Sequence, residues 1–517
     1  MATTRVAIVG GGISGLVCAL ALSKSPNITL DLYESAPQLA ERGAGLTMWG
    51  RSWSTLKALG LEHDMQALLS HPRDDKPALA FEFRKGDQPQ GFGFYNLIIN
   101  GGPIHFHRSD FQQVLLAHIP DTIKAHFHLS SKIIGYTETT DSPDTGPVQL
   151  LFEDGTTKSF DLLIGADGIR SVVRRVLLTD HARHVDQHRP SGPDEASSDG
   201  TDSPSSYLLS IDPIWTGWVA YRGLIPSATL REKMPNHRTL TIPTQYWGKR
   251  KYLVVYPIAQ GRLINVVVPI RLSPTEGPAL PWPWVTSTAS ALSAHPSGNS
   301  NIENVVTNPG DAQKVTSAAK QDILKHYANW DAESRVLLEV TCIERPYRDQ
   351  LLKSRILHRQ CLDSPSCWAI HALRPLKTYI SRSKRVALLG DAAHAMTPHQ
   401  GAGAGQAIED AYILCSLLTS DLCTPSTIPS ILHVYNAICQ PFGNRVQAGT
   451  KAQGAYHDLS GPRFDGIEEG DSQSLTAEAL HGVMEGIVEE WKWQWSTTAD
   501  KERDAALAML RERLMDA

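Results

Sequence analysis

The hydrophobic positions at the start of the chain follow the pattern of a strand, a helix and a second strand. Residues 5–9 are a short apolar run that ends at a glycine, which is typical of a buried parallel strand. Residues 16–23 are compatible with a helix and contain no proline. Residues 28–33 alternate between apolar and polar side chains and end at Glu34. This order predicts an α/β fold that opens with a Rossmann-like parallel sheet.

The pattern of a buried strand returns late in the chain. Residues 385–389 predict such a strand, which is followed by a Gly-Asp pair, a glycine-rich turn and a helix that begins near residue 405. Between the two α/β parts, residues 218–225 and 252–270 have the pattern of strands in a sheet-rich region. The sequence therefore predicts a nucleotide-binding domain that is split by an inserted β-sheet-rich substrate domain.

Two segments have too few large apolar side chains to build a core, and we expect both to be surface loops or disordered insertions. They are residues 181–206 and 273–318. Near the C-terminal end, Leu507, Leu510 and Leu514 recur at helical spacing and predict an amphipathic helical segment over residues 485–517. The expected organisation is a nucleotide-binding domain (residues 1–180 and 373–455), a low-complexity insertion (181–206), a β-rich substrate domain (207–372) and a helical C-terminal segment (456–517).

The composition excludes several classes of protein. Of the 517 residues, 41% are hydrophobic, and 49 Lys and Arg nearly balance 54 Asp and Glu, which gives no support to a nucleic-acid partner. The seven scattered cysteines form no Cys-x-x-Cys pair, so neither a disulfide scaffold nor structural zinc is expected. Gly10–Gly12 interrupt the apolar N-terminal stretch, which argues against a secretory signal, and no long apolar run predicts a transmembrane segment. We expect a reduced, cytoplasmic protein.

A Gly-x-Gly-x-x-Gly motif lies between the first strand and the first helix. Gly10 suits the tight turn, Gly12 lets the backbone approach a pyrophosphate, and Gly15 lets the helix pack closely on the strand. The helix N-terminus then offers free N–H groups to phosphate oxygens. Glu34 is placed to accept hydrogen bonds from ribose hydroxyls. Dinucleotide binding is therefore favoured over a purely structural glycine turn.

Two further acidic turns favour FAD over NAD as the dinucleotide. Residues 161–171 contain a strand that runs into Asp167, and residues 388–410 contain Asp391 followed by a glycine-rich turn. Either acid alone could be a helix cap. The two turns in this order, together with Arg108 in a His-Arg-Ser-Asp sequence, indicate FAD binding much more specifically than either acid does alone.

These ordered motifs resemble those of the class A flavoprotein monooxygenases, the single-component FAD-dependent aromatic hydroxylases. Residues 399–410 (HQGAGAGQAIED) are similar to the salicylate hydroxylase branch, which includes fungal hydroxylases of aromatic polyketides. The resemblance implies bound FAD, NAD(P)H and O2 as co-substrates, and a C4a-hydroperoxyflavin that hydroxylates a small phenolic substrate in secondary metabolism. The alternatives are an epoxidase of a prenylated or terpenoid substrate, and a flavin-binding relative without catalysis.

The resemblance also implies roles for individual residues. Glu34 is expected at the adenosine ribose, Arg108 at the pyrophosphate and Asp391 at the ribityl or pyrophosphate end. The helix after the glycine-rich turn is expected to point at the flavin edge that becomes negative on reduction. The full set of expected cofactor-binding residues is Gly10, Gly12, Gly15, Glu34, Ala44, Gly45, Arg108, Asp167, Asp391, Gly403 and Ala404.

Arg222 and Tyr256 in the β-rich region are expected to bind the substrate, because polyketide hydroxylase relatives hold the substrate phenolate with an arginine and a tyrosine at similar positions. Arginine suits an oxyanion, since it is permanently charged and presents a planar fork of donors. The alternatives are a structural ion pair for Arg222 and core packing for Tyr256.

Three other features suggest structural roles. His394 and His399 are five residues apart, which does not suit a shared metal ion on a helix, so no metal site is expected. The tryptophans at 491, 493 and 495 are expected to pack the C-terminal segment rather than to bind substrate. Relatives often have arginines where this chain has Cys439 and Phe442, on either side of Pro441. This difference affects the predicted packing of the C-terminal segment and not the prediction of FAD binding.

Overall fold

The structure of the protein is a computed structural model. It describes residues 3–39, 45–71, 73–138, 148–188, 203–272, 285–287, 323–341, 366–471 and 473–516. The strands are β1 (Thr4–Val9), β2 (Ile28–Tyr33), β3 (Gly45–Met48), β4 (Pro77–Lys85), β5 (Phe92–Asn100), β6 (Ile104–His107), β7 (Phe127–His128), β8 (Ile133–Glu138), β9 (Val148–Phe152), β10 (Thr157–Phe160), β11 (Leu162–Gly165), β12 (Ile214–Pro226), β13 (Thr244–Gly248), β14 (Lys251–Ile258), β15 (Leu263–Arg271), β16 (Val285–Ser287), β17 (Ser366–Ala372) and β18 (Val386–Leu388).

The α-helices are Ile13–Leu22, Gly50–Ala58, Glu62–Ala67, Arg108–His118, Asp121–Lys124, Val172–Gln187, Pro204–Leu208, Ser227–Lys233, Ala332–Thr341, Asp391–His394, Gly403–Leu418, Ile428–His457, Ala477–Trp491, Trp493–Ser496 and Asp500–Met515. Short 3-10 turns lie at Arg238–Leu240, Pro398–Gln400 and Pro462–Phe464. None of the described helices is both long and apolar enough to cross a membrane.

The nucleotide-binding part is a parallel five-stranded sheet in the order β18-β11-β1-β2-β7. The predicted strands at residues 5–9, 28–33 and 385–389 are confirmed as β1, β2 and β18, and the first helix begins at Ile13, three residues earlier than predicted. Both faces of β1 are buried, which explains its continuous apolar run. Because all five strands are parallel, their carboxyl ends meet at one edge, and the three sequence motifs follow β1, β11 and β18 at that edge.

The larger part is an eight-stranded sheet in the order β16-β17-β12-β15-β14-β13-β4-β5. The predicted strand at residues 218–225 lies within β12, whereas residues 252–270 form two strands, β14 and β15. Ala259 and Gln260 have positive φ angles in the turn between them. Strands β4 and β5 lie within residues 1–180, yet their pairing places them in this sheet rather than in the nucleotide-binding sheet.

Part of the predicted polar insertion at residues 181–206 is helical, and this corrects the prediction of a loop. Residues 181–187 complete the helix Val172–Gln187, in which Ala182 is buried, and residues 204–208 form a helix that Ser203 caps. Residues 189–202 lie outside the described residues. So does most of the second insertion, residues 273–318, of which 285–287 form the edge strand β16.

The C-terminal segment contains three helices where the sequence predicted one amphipathic helical segment. The helix Ala477–Trp491 packs its apolar face against β5, and the helix Asp500–Met515 packs on the helices of the nucleotide-binding part. Leu510 is buried there, and Leu507 and Leu514 are partly buried against the same core. The C-terminal segment therefore packs both on the larger sheet and on the helices of the nucleotide-binding part.

Candidate active site

A cavity of about 340 Å³ lies between the carboxyl edge of the parallel sheet and the inner face of the larger sheet, and its size is typical of a small-molecule site. Residues from both sheets and from the C-terminal segment line it. The predicted site residues that line the cavity are Gly12, Gly45, Arg108, Asp391, Gly403, Ala404, Arg222 and Tyr256. Ala44 lies outside the described residues.

The first glycine motif closes one end of the cavity. Gly10 has a φ of +107°, and a Cβ atom there would lie 2.3 Å from the carbonyl oxygen of Ala166. A Cβ atom on Gly15 would lie 1.9 Å from the carbonyl oxygen of Gly10. By contrast, a Cβ atom on Gly12 would meet no atom within 4 Å. Gly10 and Gly15 are thus required by packing, whereas Gly12 leaves open space at the cavity wall.

Two helix N-termini point their backbone N–H groups at this cavity. The helix Ile13–Leu22 begins after Gly12, and the helix Gly403–Leu418 begins after Ala402; neither residue supplies a side-chain cap. Uncapped N–H groups at a helix start carry partial positive charge and favour an anionic ligand. The residues present therefore fit a dinucleotide that places its pyrophosphate at one end and an electron-rich ring edge at the other.

Glu34 follows β2 beside the first glycine motif. One of its carboxylate oxygens accepts a hydrogen bond from the N–H of Gly11 at 2.8 Å, and the other accepts from the N–H of Ala36 at 2.8 Å. The second oxygen, Oε1, also accepts a hydrogen bond from the hydroxyl of Ser35 at 3.1 Å, so Oε2 is the oxygen that keeps a lone pair for a further donor. The carboxylate is therefore oriented by backbone groups, as binding to a pair of ribose hydroxyls requires.

Asp391 is exposed to the cavity at the start of a short helix, and a buried pair behind it fixes that turn. Asp410 accepts a hydrogen bond from the N–H of Gly390 at 3.1 Å and contacts the ring of His394. Burial alone would lower the pKa of His394, but the neighbouring Asp410 carboxylate outweighs it and the pKa is raised. His394 thus supports the turn that carries Asp391. In the described part of the chain, no group of three or more side chains is placed to hold a metal ion.

Arg108 and Arg222 line the same cavity from different elements. Burial lowers the pKa of Arg108, an effect that the charge of Asp391 opposes and the charge of Arg222 reinforces. Burial also lowers the pKa of Arg222, and the nearby Tyr256 opposes that effect. Within the described residues, no carboxylate is paired with Arg222, and its Nε has no hydrogen-bond partner. The cavity therefore has a buried positive charge that suits an anionic substrate group.

Tyr256 is part of the core and of the cavity wall at once. Its ring stacks on His105 at a centroid distance of 4.1 Å, and its hydroxyl would lie 2.7 Å from a Cβ atom on Gly45. Burial raises the pKa of Tyr256, while its hydrogen bond to Thr47 and the charge of Arg222 oppose that rise. The phenol is therefore neutral and can donate a hydrogen bond into the cavity.

Asp167 does not line the cavity, although its neighbours Ala166 and Gly168 do, and the same is true of the predicted residues Gly10, Gly15 and Glu34. One of its oxygens accepts hydrogen bonds from the N–H groups of Val172 and Val173, at 2.8 and 3.1 Å, at the start of a helix. The structure thus gives Asp167 the helix-capping contact that the sequence left as its alternative. A direct contact with a cofactor stays a prediction for this residue.

Several cavity residues were not predicted as site residues. Asn265 accepts a hydrogen bond from the N–H of Gly45 at 2.9 Å, and its buried Nδ2 has no partner among the described residues. His399, considered above only as a metal ligand, has its Nδ1 2.6 Å from the hydroxyl of Tyr252, and both rings line the cavity. Burial lowers the pKa of His399 to about 3, so its ring is neutral. The sequence did contain one indication that His399 belongs to the site, because this residue stands directly before the glycine-rich turn.

The three tryptophans near the C-terminus have different surroundings. Trp493 packs on Phe442, and Trp495 packs on Trp49, as expected for residues with a structural role. Trp491 also packs on Trp49, but it lines the cavity as well. The expectation of packing alone is therefore incomplete for Trp491.

Two family descriptions match the chain. One is "NAD(P)-binding Rossmann-like domain", over residues 8–81, and the other is "FAD binding domain", over residues 270–450. The first match covers β1, the glycine motif and β2, and the second covers the turns around Asp391 and Gly403. The two matches lie on opposite sides of the chain segment that supplies β12 and β14 to the larger sheet.

The similarity to individual proteins covers most of the chain. This chain is 31% identical over 511 residues to salicylate hydroxylase from Pseudomonas putida. The alignment covers 98% of this chain and 94% of the relative. The chain is 30% identical over 420 residues to 6-methylsalicylate 1-monooxygenase from Aspergillus terreus, covering 80% of this chain and 74% of the relative. A solved salicylate hydroxylase substrate complex superposes with a TM-score of 0.69 at 27% identity and covers 98% of both chains. The similarity thus includes both sheets and the C-terminal helices.

Proposed function

Because this chain belongs to the class A flavoprotein monooxygenases, we propose that it hydroxylates a small phenolic aromatic compound, of the salicylate or aromatic polyketide type, in secondary metabolism. Membership of the family confirms the fold class, the FAD cofactor and the NAD(P)H-dependent monooxygenase activity predicted from the sequence. The observation that supports the substrate class best is the half-buried Arg222, which lines the cavity together with Tyr256 and has no carboxylate partner in the described part of the chain.

The two uncapped helix N-termini support a specific orientation of the cofactor. We assign the pyrophosphate to Gly12 and Arg108, the adenosine ribose to Glu34, and the ribityl side to Asp391. Gly403 and Ala404 would hold the flavin end of the cofactor, where their N–H groups would stabilise the negative charge of a reduced ring. FAD held by these residues would supply the redox chemistry: with two electrons from NAD(P)H, one oxygen atom of O2 would enter the substrate and the other would leave as water.

Arg222 and Tyr256 are assigned to the substrate. A phenolate ring is a stronger nucleophile than a phenol, and the guanidinium of Arg222 stabilises the charged form by a charge-assisted hydrogen bond. Tyr256 orients the same oxygen with its O–H group. The apolar cavity residues Val254 and Val267 exclude water around the ring, which strengthens both interactions.

The names of two relatives agree with this substrate class. Salicylate and 6-methylsalicylate are both phenols that carry a carboxylate next to the hydroxyl group. A compound of this kind presents two oxygen atoms on one edge, which is the arrangement that the bidentate fork of an arginine recognises. We therefore expect an ortho-hydroxy aromatic acid, or a polyketide with the same pair of groups, to bind at Arg222.

The test begins with the purified protein. It should be yellow and should release FAD on denaturation. Salicylate and 6-methylsalicylate should then accelerate NAD(P)H oxidation with consumption of O2 and formation of a hydroxylated product, whereas benzoate, which lacks the phenol, should not yield a product. Retention of FAD without any phenol-dependent product would instead identify a flavin-binding relative without hydroxylase turnover.

A further inference from the structure

The wall of the cavity includes an arc of aromatic rings that ends at Trp491. The arc runs from Tyr256 to Phe81, then to Trp49 and to Trp491, with centroid distances of 6.4, 6.4 and 4.7 Å between successive rings. All four rings line the cavity. Tyr256 stands at the end assigned to the substrate phenolate, so Trp491 stands at the opposite end of the arc.

Trp491 is held in place more firmly than a surface tryptophan. It is 1% exposed and ends the helix Ala477–Trp491, whose other buried residues pack into the core of the larger sheet. Its ring makes edge contacts with Trp49 at 4.7 Å and with Trp495 at 5.4 Å. Trp49 is itself fixed, because its indole N–H donates to the carbonyl oxygen of Gln400 at 2.8 Å.

The indole N–H of Trp491 has no hydrogen-bond partner in the part of the chain that the structure describes, although the atom is buried. Buried tryptophans usually place this donor against an acceptor, because an unsatisfied buried donor is costly. The packing contacts of Trp491 occupy its ring and leave its polar atom unused. A purely structural residue at this position could be a phenylalanine.

We infer that Trp491 is a specificity-determining residue, whose indole N–H binds a hydrogen-bond acceptor at the end of the substrate remote from the phenolate. This inference rests on the proposed function, since that function places the phenolate at Arg222 and Tyr256. The acceptor is a carbonyl, carboxylate or ether oxygen on the far side of the aromatic ring. The C-terminal helix then selects among phenolic substrates by the group opposite their hydroxyl.

The test compares two probes of nearly equal shape. 5-Acetyl-2-hydroxybenzoate carries a carbonyl oxygen opposite the phenol, and 5-ethyl-2-hydroxybenzoate does not. Dissociation constants are measured on the FAD-loaded protein from the change in flavin absorbance. The parent protein should bind the acetyl compound at least about fivefold more tightly, the effect expected of one hydrogen bond. Trp491→Phe keeps an aromatic wall but removes the donor, and it should abolish this preference.

Trp495→Phe is the matched control, because Trp495 belongs to the same ring cluster and does not line the cavity. It should leave the preference for the acetyl compound unchanged. Trp491→Ala should in addition improve binding of the longer 5-phenyl-2-hydroxybenzoate relative to salicylate. FAD content and the melting temperature show that each variant is folded.

The inference is overturned if folded, FAD-loaded Trp491→Phe keeps the preference of the parent, or if the parent shows none. A different result identifies a failure of the proposed function. If the parent holds FAD but neither binds any of the phenolic probes nor oxidises NAD(P)H faster with them, the substrate class is wrong and the role of Trp491 falls with it.

Discussion

Arg51 and Glu409 form an ion pair inside the protein, with Nε and Oε2 2.8 Å apart and each side chain only 4% exposed. The same guanidinium lies 3.0 Å from a carboxylate oxygen of Glu502 and donates to the carbonyl oxygen of Thr498 at 2.8 Å. Glu409 belongs to the helix that begins at the glycine-rich turn. Arg51 therefore ties that helix to the C-terminal segment, whose Trp491 lines the cavity.

Removal of this guanidinium should destabilise the whole protein. Above pH 7, where Glu409 is ionised, Arg51→Ala leaves this carboxylate buried and without its cation, and breaking such a pair costs about 3–5 kcal/mol. The melting temperature should fall by several degrees, which calorimetry can measure. Lys57→Ala is a suitable control, because the pair of Lys57 with Glu62 is exposed and should contribute less than about 1 kcal/mol.

Glu409 should make the stability depend on pH. Burial raises the pKa of Glu409 to about 7; the Arg51 charge opposes this rise, and Asp410 and Glu502 add to it. Because the folded protein holds this proton more tightly than the unfolded chain, stability is highest below the unfolded pKa and is lost as the pH rises from about 4.5 to about 7. The melting temperature of Glu409→Gln should therefore decline less over this range than that of the parent. Equal declines in the two proteins would contradict the assignment.

The two glycines of the first motif should respond differently to alanine. A Cβ atom on Gly15 would overlap the backbone of Gly10, so Gly15→Ala should cost more than about 3 kcal/mol or prevent folding. Gly12 has an ordinary φ of −74° and open space in front of it, so Gly12→Ala should leave the melting temperature of the FAD-free protein unchanged. The same change should weaken FAD binding, because the methyl group occupies the place of the pyrophosphate. Fluorescence titration with FAD measures this loss.

Asp391→Ala should weaken the retention of FAD without weakening the fold. Its side chain is exposed to the cavity, so its loss removes a cofactor contact rather than a structural one. A lost hydrogen bond of this kind costs about 1–3 kcal/mol, or roughly 5- to 150-fold in affinity. Asp121→Ala, a change at a fully exposed carboxylate on a distant helix, is the control. Unchanged affinity in the Asp391 variant would show that FAD does not contact this residue.

Arg222→Ala should separate substrate binding from cofactor binding. The flavin spectrum should stay intact, whereas kcat/KM should fall at least tenfold, since a charge-assisted hydrogen bond contributes about 1.5–3 kcal/mol. Arg222→Lys should restore only part of the activity, because a single ammonium group cannot reproduce the planar fork. Normal turnover in a folded, FAD-loaded alanine variant would show that Arg222 is structural.

The sequence predicted those parts of the fold in which local pattern and final contacts coincide. Strands β1 and β2 and the glycine motif between them form one continuous unit, so their periodicity and their turn were sufficient. Strand β4 pairs in parallel with β13, and this pairing joins Glu82 to Thr244. No periodicity within β4 can indicate a partner at that separation, so the sheet to which it belongs was not predictable.

The same reasoning applies to the site. The presence of Gly12 and Asp391 in the cavity wall was predictable, because each lies in a turn that a local sequence motif defines. Asn265 could not be found in this way, because its role arises from a hydrogen bond to Gly45, 220 positions earlier in the chain. Trp491 has the spacing of a core residue, and only the three-dimensional structure shows that its ring also borders the cavity.

The contact between Arg51 and Thr498 has a consequence for the synthesis of this protein. The two residues are 447 positions apart, and a ribosome that adds about 5–20 residues per second needs roughly 20–90 s to make the chain between them. During that interval the glycine motif is already complete, but the helix that carries Trp491 does not yet exist. The nascent chain can therefore form its nucleotide-binding turn long before it can close the pocket, because Trp491 joins the cavity wall only after the helix Ala477–Trp491 has been made.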